Sequence, residues 1–500
     1  MSGLKKAGLV LILFAIISKA LGILREMLVA YYFGTTSQLD AYIIGMNIPL
    51  LIMNTLAGEA IVASFIPIFT AFLAKGDERA ASEFGSTIIN LTTIIFLALT
   101  LIYLLFTPLL VKITAPGFSP ETYQLAIRLT RIMLFSMLFF SFSSIFRSIL
   151  NSHQSFTLPG LSQTVLNASI ILMIIIAVPF FGVYALAWGF LIGSIIHFLI
   201  QIKPVVRRIK YSFELSLPAA GGFLSAFLPL LLVVPIGQLN ILVTKIIASM
   251  LGSGNISALS YSEKLMEIAN NILAVPIATV IFPYLSVAIY KQDVEGFAHH
   301  LKKGINILFF ATFPITLFFL FFSQPLIEIL FKRGLFGTKS VELVSRALFY
   351  YAFAGLFGSM NYLLVYGFCS LRKIRVIVSL MSISFVVNIF LAIVLSKIMG
   401  IGGITLSMSI STGLLFLSLL FFLSKKISWE VKDWLPKIAL RCIIQVIVFC
   451  FGFGLYTILP IDTALRLIIV SLSILAGISL LSWAFKIEEF TWLIGLIRKR

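Results

Sequence analysis

The sequence predicts an all-α polytopic membrane protein of about 14 transmembrane helices: two parallel six-helix repeats plus two extra C-terminal helices. Three observations predict this. Hydrophobic residues make up 60% of the chain and charged residues only 11%, against roughly 25% charged in a soluble domain. Apolar runs long enough to cross a bilayer recur along the whole length, without the alternation of barrel strands. A sequence repeat also relates the two halves.

Taken in order, the spans fall near 7–33, 40–73, 86–112, 124–151, 159–180, 182–202, 216–249, 256–290, 303–323, 341–369, 374–397, 401–424, 436–459 and 463–486. Lys5 and Lys6 before an apolar run look like a signal peptide, but no A-x-A site closes the run. The reading is therefore an uncleaved first span. Pro49, Pro67, Pro229, Pro235, Pro276 and Pro283 mark expected bends. The net charge of +18 comes mostly from short loops. One side collects Lys5, Lys6, Lys75, Arg79, Lys203, Arg207, Arg208, Lys210, Lys291, Lys302, Lys303, Arg372, Lys373, Arg375, Lys425, Lys426 and the Arg498–Arg500 tail. The other holds chiefly Lys112, Lys332, Arg333 and Lys339. By the positive-inside rule both termini are cytoplasmic, as an even span count requires. The basic residues thus set orientation, and nucleic acid is not an expected partner.

The repeat is legible directly. F-I-P-I-F-T-A-F-L-A-K-G-D (65–77) lies over I-F-P-Y-L-S-V-A-I-Y-K-Q-D (281–293), matching Pro67 to Pro283, Lys75 to Lys291 and Asp77 to Asp293. At the same offset Asn90 meets Asn306. Asn167 and Asn388 occupy similar places ahead of a small-residue helix. Six spans per copy put both copies in the membrane in the same sense, an arrangement of transporters with a site where the halves meet. The expected divisions are 1–212 and 213–430, each a six-helix lobe, and 431–500, two additional helices with a basic tail.

Ionisable residues inside spans are the functional candidates, since each costs about 2.5–3.5 kcal/mol at a helix centre. In S-K-A-L-G-I-L-R-E, Ser18, Gly22 and Arg25 share one helical stripe, with Lys19 and Glu26 on the next. A structural ion-pair network is the competing reading, strongest for Glu26 with its basic neighbours. Asp40 opens span two, and Glu59 interrupts it in N-T-L-A-G-E-A. On span eight, Y-S-E-K-L-M-E sets Glu263 and Glu267 at i, i+4 with Lys264 between them. Lys245 sits near the end of span seven. Arg147 is expected to snorkel, His197 to be packed, and His299 and His300 to lie on a solvated face.

Other chemistries lack their residues. There is no G-x-x-x-x-G-K-[ST] loop, no H-E-x-x-H and no clustered Cys/His set. Cys369, Cys442 and Cys450 form no CxxC pair. A membrane-embedded hydrolase would want a carboxylate cluster and a larger loop. Transport is the class that remains.

The motifs S-K-A-L-G-I-L-R-E, F-G-x-x-x-x-x-D-A-Y, G-E-A…F-I-P, T-A-P-G-F (114–118), S-I-L-N (148–151), E-K-L-M-E and F-K-R-G-L-F (331–336) resemble the MurJ (MviN) lipid II flippases. That family lies within the multidrug/oligosaccharidyl-lipid/polysaccharide exporter superfamily. The resemblance implies a V-shaped pair of lobes around a cationic cavity, working by alternating access in the bacterial cytoplasmic membrane. It implies no enzymatic step and no bound cofactor, with membrane potential or a coupled monovalent ion as the drive. The substrate would be an undecaprenyl-diphosphate-linked peptidoglycan precursor, with the polyprenyl tail on spans 13 and 14. Membrane lipids and envelope-synthesis proteins are the other partners it implies.

Carried over by position, Lys19, Arg25 and Lys264 would bind the diphosphate, and Ser18, Glu26, Asp40, Asn54, Glu59 and Glu263 would line the cavity or gate it. Lys19 and Lys264 stand where arginine is usual, keeping charge but losing the bidentate fork. Glu26 replaces an aspartate, and Gly58-Glu59 inverts a glutamate-glycine pair. Met53 and Asn54 occupy the positions of two arginines. The alternatives are a flippase for another polyprenyl-diphosphate glycan, a drug/cation antiporter and a non-transporting scaffold.

Overall fold

The computed structural model describes residues 2–57, 59–155, 157–213, 215, 217–228, 235–427, 435–485, 487 and 489–490. These residues are helical, with short turns and no strand among them. Among the described residues twelve helical stretches are long and apolar enough to cross a membrane. The expected first span falls within α1 (Ser2–Phe33), whose side chains at 2–13 and at 15 lie outside the described residues. Expected span seven covers α9 (Leu217–Phe227) and α10 (Pro235–Ser249), on either side of residues 229–234 and with them Pro229, which lie outside the described residues.

The backbone divides into two compact units, Met1–Ser257 with Arg333–Phe336, and Ala258–Lys332 with Gly337–Arg500. The first holds α1, α2 (Ser37–Ile52), α3 (Glu59–Ala74), α4 (Glu78–Thr114), α5 (Pro120–Leu134), α6 (Ser136–Ser152), α7 (Thr157–Phe181), α8 (Tyr184–Val206), α9 and α10. Within it α7 packs along α8 and α1, α2 along α5, and α9 against α3 and α4. The helix Ser37–Ala74 is not simply bent at Pro49. Past that residue, which lacks the N–H of a regular turn, the backbone widens into a π turn at Met53–Ala57, a local distortion common at functional sites.

Two motifs that looked unrelated in the sequence meet in this unit. Gly34 ends α1 at φ +55° and Gly334 turns at φ +57°. The Leu335 N–H donates to the Tyr31 carbonyl at 2.9 Å. A Cβ on Gly34 would stand 2.4 Å from the Leu335 oxygen, and one on Gly334 2.3 Å from the Tyr31 oxygen. Both positions therefore require glycine twice over, for the left-handed backbone and for the close approach. We expect Gly334→Ala to cost about 2 kcal/mol or more in thermal unfolding of the detergent-solubilised protein. Gly337→Ala is the control and should change little: it has φ −82° and open space around its Cα.

His153 follows α6, outside the candidate spans, edge-on to Phe69 at 5.8 Å. Its Nε2 has no hydrogen-bond partner among the described residues. Burial holds its imidazole below the ordinary value, nearby Arg208 adds to the depression, and Glu78 opposes it. The unfolded chain then takes up the proton first. Stability is fully present above a pH of about 6.5 and is lost as pH falls toward the depressed folded value. Melting temperatures recorded down that range should fall less steeply for His153→Gln than for the wild type.

The second unit holds α11 (Asn255–Tyr290) from Ala258 onward, α12 (Val294–Phe331), α13 (Thr338–Ser370), α14 (Ile374–Met399), α15 (Ile401–Ile427), α16 (Leu435–Ile458) and α17 (Thr463–Ala484). α13 and α14 both pack along α15. α12 kinks at Phe322 (φ −126°), three residues before Pro325, whose missing N–H leaves the preceding turn unsupported. Phe322 is fully buried there with Phe449, Val470 and Ile474, the core by which α16 and α17 pack on α12. A buried ion pair, Arg441 to Glu489 at 2.8 Å, ties the beginning of α16 to the segment after α17.

The repeated turns match in geometry as well as in sequence. In each copy an aspartate follows a residue of positive φ (Gly76 at +72°, Gln292 at +56°). Asp77 then accepts from the Ala80 N–H at 2.9 Å, capping α4, and Asp293 from the Gly296 N–H at 2.7 Å, capping α12.

Candidate functional site

The polar stripe of α1 faces α7. Arg25 donates through Nε (3.1 Å) and Nη2 (2.7 Å) to Oε1 of Glu26, and through Nη1 to Oδ1 of Asn167 at 3.0 Å. The Asn167 amide nitrogen donates in turn to the Ser18 carbonyl at 3.1 Å and its hydroxyl at 3.3 Å. Gly22 lies between them, where a Cβ would stand 3.9 Å from the Asn167 amide. The three residues of the stripe thus meet one asparagine, which spans two helical turns of α1.

This network holds the guanidinium in a fixed orientation. The Glu26 side chain is 10% exposed and that of Arg25 is 25%, so the arginine is the member that solvent or a ligand can reach. Charged hydrogen bonds at these distances, in a setting of low dielectric, are strong and directional. Tyr42 of α2 is buried within electrostatic reach of both charges. Lys19 is exposed on the same helix.

Asp40 has a different setting. It is 1% exposed and accepts from the Gly254 N–H at 2.6 Å, from the Ser257 N–H at 2.8 Å and from the Ser257 hydroxyl. A carboxylate from α2 therefore caps the first turn of α11, whose leading N–H groups have no partner within their own helix. Spacing in the sequence gave no sign of that contact.

The π turn separates two neighbours that looked equivalent. Met53 is buried, while Asn54 is exposed with its amide 3.5 Å from Gln238 of α10. Glu59 opens α3, but its side chain lies outside the described residues. In the second unit Glu263 and Lys264 are half-buried on α11. Glu263 and Glu267 are the acidic neighbours of Tyr351 on α13.

His197 packs as expected, its Nδ1 2.9 Å from the Ser143 hydroxyl and its ring edge-on to Phe140. The residue that mattered more was Asn167, noted in the sequence only as the counterpart of Asn388. The signal was there: a lone amide in an apolar span needs a partner, and α1 offered several. Asn388 is likewise buried and accepts from the Ser407 hydroxyl at 3.0 Å.

With this geometry in place, the comparisons with known proteins decide the family. The family model described as "Lipid II flippase MurJ" matches residues 29–477. The chain belongs to the MurJ family. It is 30% identical over 460 residues, 88% of each chain, to the probable lipid II flippase MurJ of Buchnera aphidicola subsp. Schizaphis graminum. To the lipid II flippase MurJ of Burkholderia cenocepacia it is 29% identical, covering 82% of this chain and 81% of that one.

Among solved structures, a lipid II flippase MurJ in an inward closed conformation superimposes with TM-score 0.81 at 27% identity, over 95% of this chain and 99% of the other. A multidrug resistance MATE transporter of the MOP superfamily shares the fold at 16% identity (TM-score 0.69), covering 84% of this chain and 98% of that one. The protein is thus a multi-pass membrane protein of a transporter family, with the MurJ fold and its superfamily relatives.

Proposed function

We propose that this protein is a lipid II flippase of the bacterial cytoplasmic membrane. It carries the undecaprenyl-diphosphate-linked precursor from the inner to the outer leaflet by alternating access, for peptidoglycan assembly. The family match across 29–477 carries this reading. Both termini face the cytoplasm, following the loop charges.

The chemistry of the task is to move a diphosphate through hydrocarbon, which requires its charge to be met by fixed cations in a water-poor space. In this reading Arg25, Lys19 and Lys264 engage the diphosphate. Glu26 and Asn167 keep the Arg25 fork aimed, and Glu263 does the same for Lys264. Asp40 gates through its contact with the first turn of α11, and Asn54 and Glu59 line the path. Envelope-synthesis proteins are the partners that supply and consume the substrate. Membrane potential or a coupled monovalent ion drives the cycle, since one charge moved through 100 mV is worth about 2.3 kcal/mol.

The buried Met53 and neutral Asn54 favour one second reading, a flippase for another polyprenyl-diphosphate glycan. Complementation of a strain depleted of its own lipid II flippase tests the choice. Growth with restored outer-leaflet lipid II supports the proposal. Failure of well-inserted protein there, with activity on a different polyprenyl-diphosphate glycan in vesicles, selects the second.

A further inference from the structure

The two sequence repeats are built differently at one place. In the first copy, Phe72 and Phe84 pack together with ring centroids 5.9 Å apart, and Phe65 closes on Phe84 at 5.1 Å. At the same offset as Lys75/Lys291 and Asp77/Asp293, the second copy has Ala288 for Phe72 and His300 for Phe84. The removed phenyl ring leaves space. A cleft of about 330 Å³ opens there, lined by Pro283, Tyr284, Val287, Ala288, Lys291, Asp293 and His300.

The lining is two-sided. At the outer rim are the Lys291 ammonium and the His300 imidazole, which lies 5.4 Å from the Tyr284 ring, centroid to centroid. The Asp293 carboxylate is committed elsewhere. Its Oδ1 takes the Gly296 N–H, and Oδ2 lies over the same glycine at the start of α12. Ala288 is buried at the base of the cleft, and beside it an exposed apolar row (Val287, Tyr284, Pro283, Val280) continues down α11 into the span. A cation with hydrogen-bond donors at the membrane edge, continuous with a greasy track running into the bilayer, matches a molecule of the same build.

We propose that this cleft binds the phosphate headgroup of an anionic phospholipid, with Lys291 and His300 on the phosphate and an acyl chain along Val287, Tyr284 and Val280. The site shares no residue with the polar network on α1 and does not rest on the transport reading. In the first repeat Phe72 and Phe84 stand at the corresponding positions and pack on each other, so that repeat serves as an internal control.

The experiment is native mass spectrometry of the full-length purified protein titrated with phosphatidylglycerol, phosphatidylcholine or inorganic phosphate. Variants are Lys291→Gln, Ala288→Phe, which restores the first repeat's residue, and Lys75→Gln as control. Wild type and Lys75→Gln are expected to retain phosphatidylglycerol alike. Lys291→Gln and Ala288→Phe should each bind its first molecule about tenfold more weakly, with phosphatidylcholine unaffected and millimolar phosphate failing to compete. If Ala288→Phe does not fold, Lys291→Gln, a change at an exposed side chain, still decides. Equal retention by wild type and Lys291→Gln overturns the proposal. So does displacement of the lipid by inorganic phosphate, or a phosphatidylcholine affinity that falls equally in the variants.

Discussion

Replacing Arg25 with alanine should abolish complementation and also lower stability by about 3 kcal/mol, because it leaves the Glu26 carboxylate buried without its main counter-ion. The two effects separate in the double variant. Removing Glu26 as well takes away the uncompensated charge, so Arg25→Ala/Glu26→Ala should recover most of the lost melting temperature. Its transport should stay at least about a hundredfold below wild type if the arginine meets the diphosphate, the equivalent of roughly 2.8 kcal/mol. Transport that returns together with stability would make the pair a structural ion bridge. Asn167→Ala tests the second support of the fork. Loss of its contacts to Arg25 and Ser18 should weaken transport more than stability, because Glu26 still holds Nε and Nη2.

The second large effect belongs to Asp40. Asp40→Ala strands the Gly254 and Ser257 N–H groups in a buried turn, at about 1–3 kcal/mol each. Asp40→Asn should be nearly as damaging, because one amide oxygen cannot serve both backbone donors and the new NH₂ points a donor at a donor. Ser257→Ala should cost only about 1 kcal/mol, as it removes the hydroxyl alone. Thermal unfolding of the three variants gives the order Ala, Asn, then Ser257→Ala. If Asp40→Asn melts like wild type, the carboxylate is not needed as a double acceptor, and the capping argument fails.

Much of this was legible in the sequence, for a reason that is local. Hydropathy over some twenty residues reports the solvent a helix is made for, and the 3.6-residue period reports which side chains share a face. Both are properties of contiguous chain. They placed the helices, the stripe of Ser18, Gly22 and Arg25, and the repeated Lys-x-Asp turns whose aspartates cap α4 and α12, although those two helices begin at Glu78 and Val294, well before the expected spans at 86 and 303. The family motifs were also readable, and the match across 29–477 agrees with them.

Spacing said little about which helices would be neighbours. Arg25 and Asn167 are 142 residues apart, and Asp40 and Gly254 are 214 apart. Nothing in either segment names the other. The π turn at Met53–Ala57 changed what two adjacent residues do, burying one and exposing the next, in a way a regular helical wheel does not describe. The cleft at Ala288 answers to no local pattern, and its origin is suggested only when Ala288 and His300 are set against Phe72 and Phe84, their counterparts in the first repeat. The sequence by itself determined the solvent, the helices and their polar faces, because these depend on near neighbours along the chain. Only the tertiary structure decided which polar group each face would meet, because that depends on packing between segments that share no local signal.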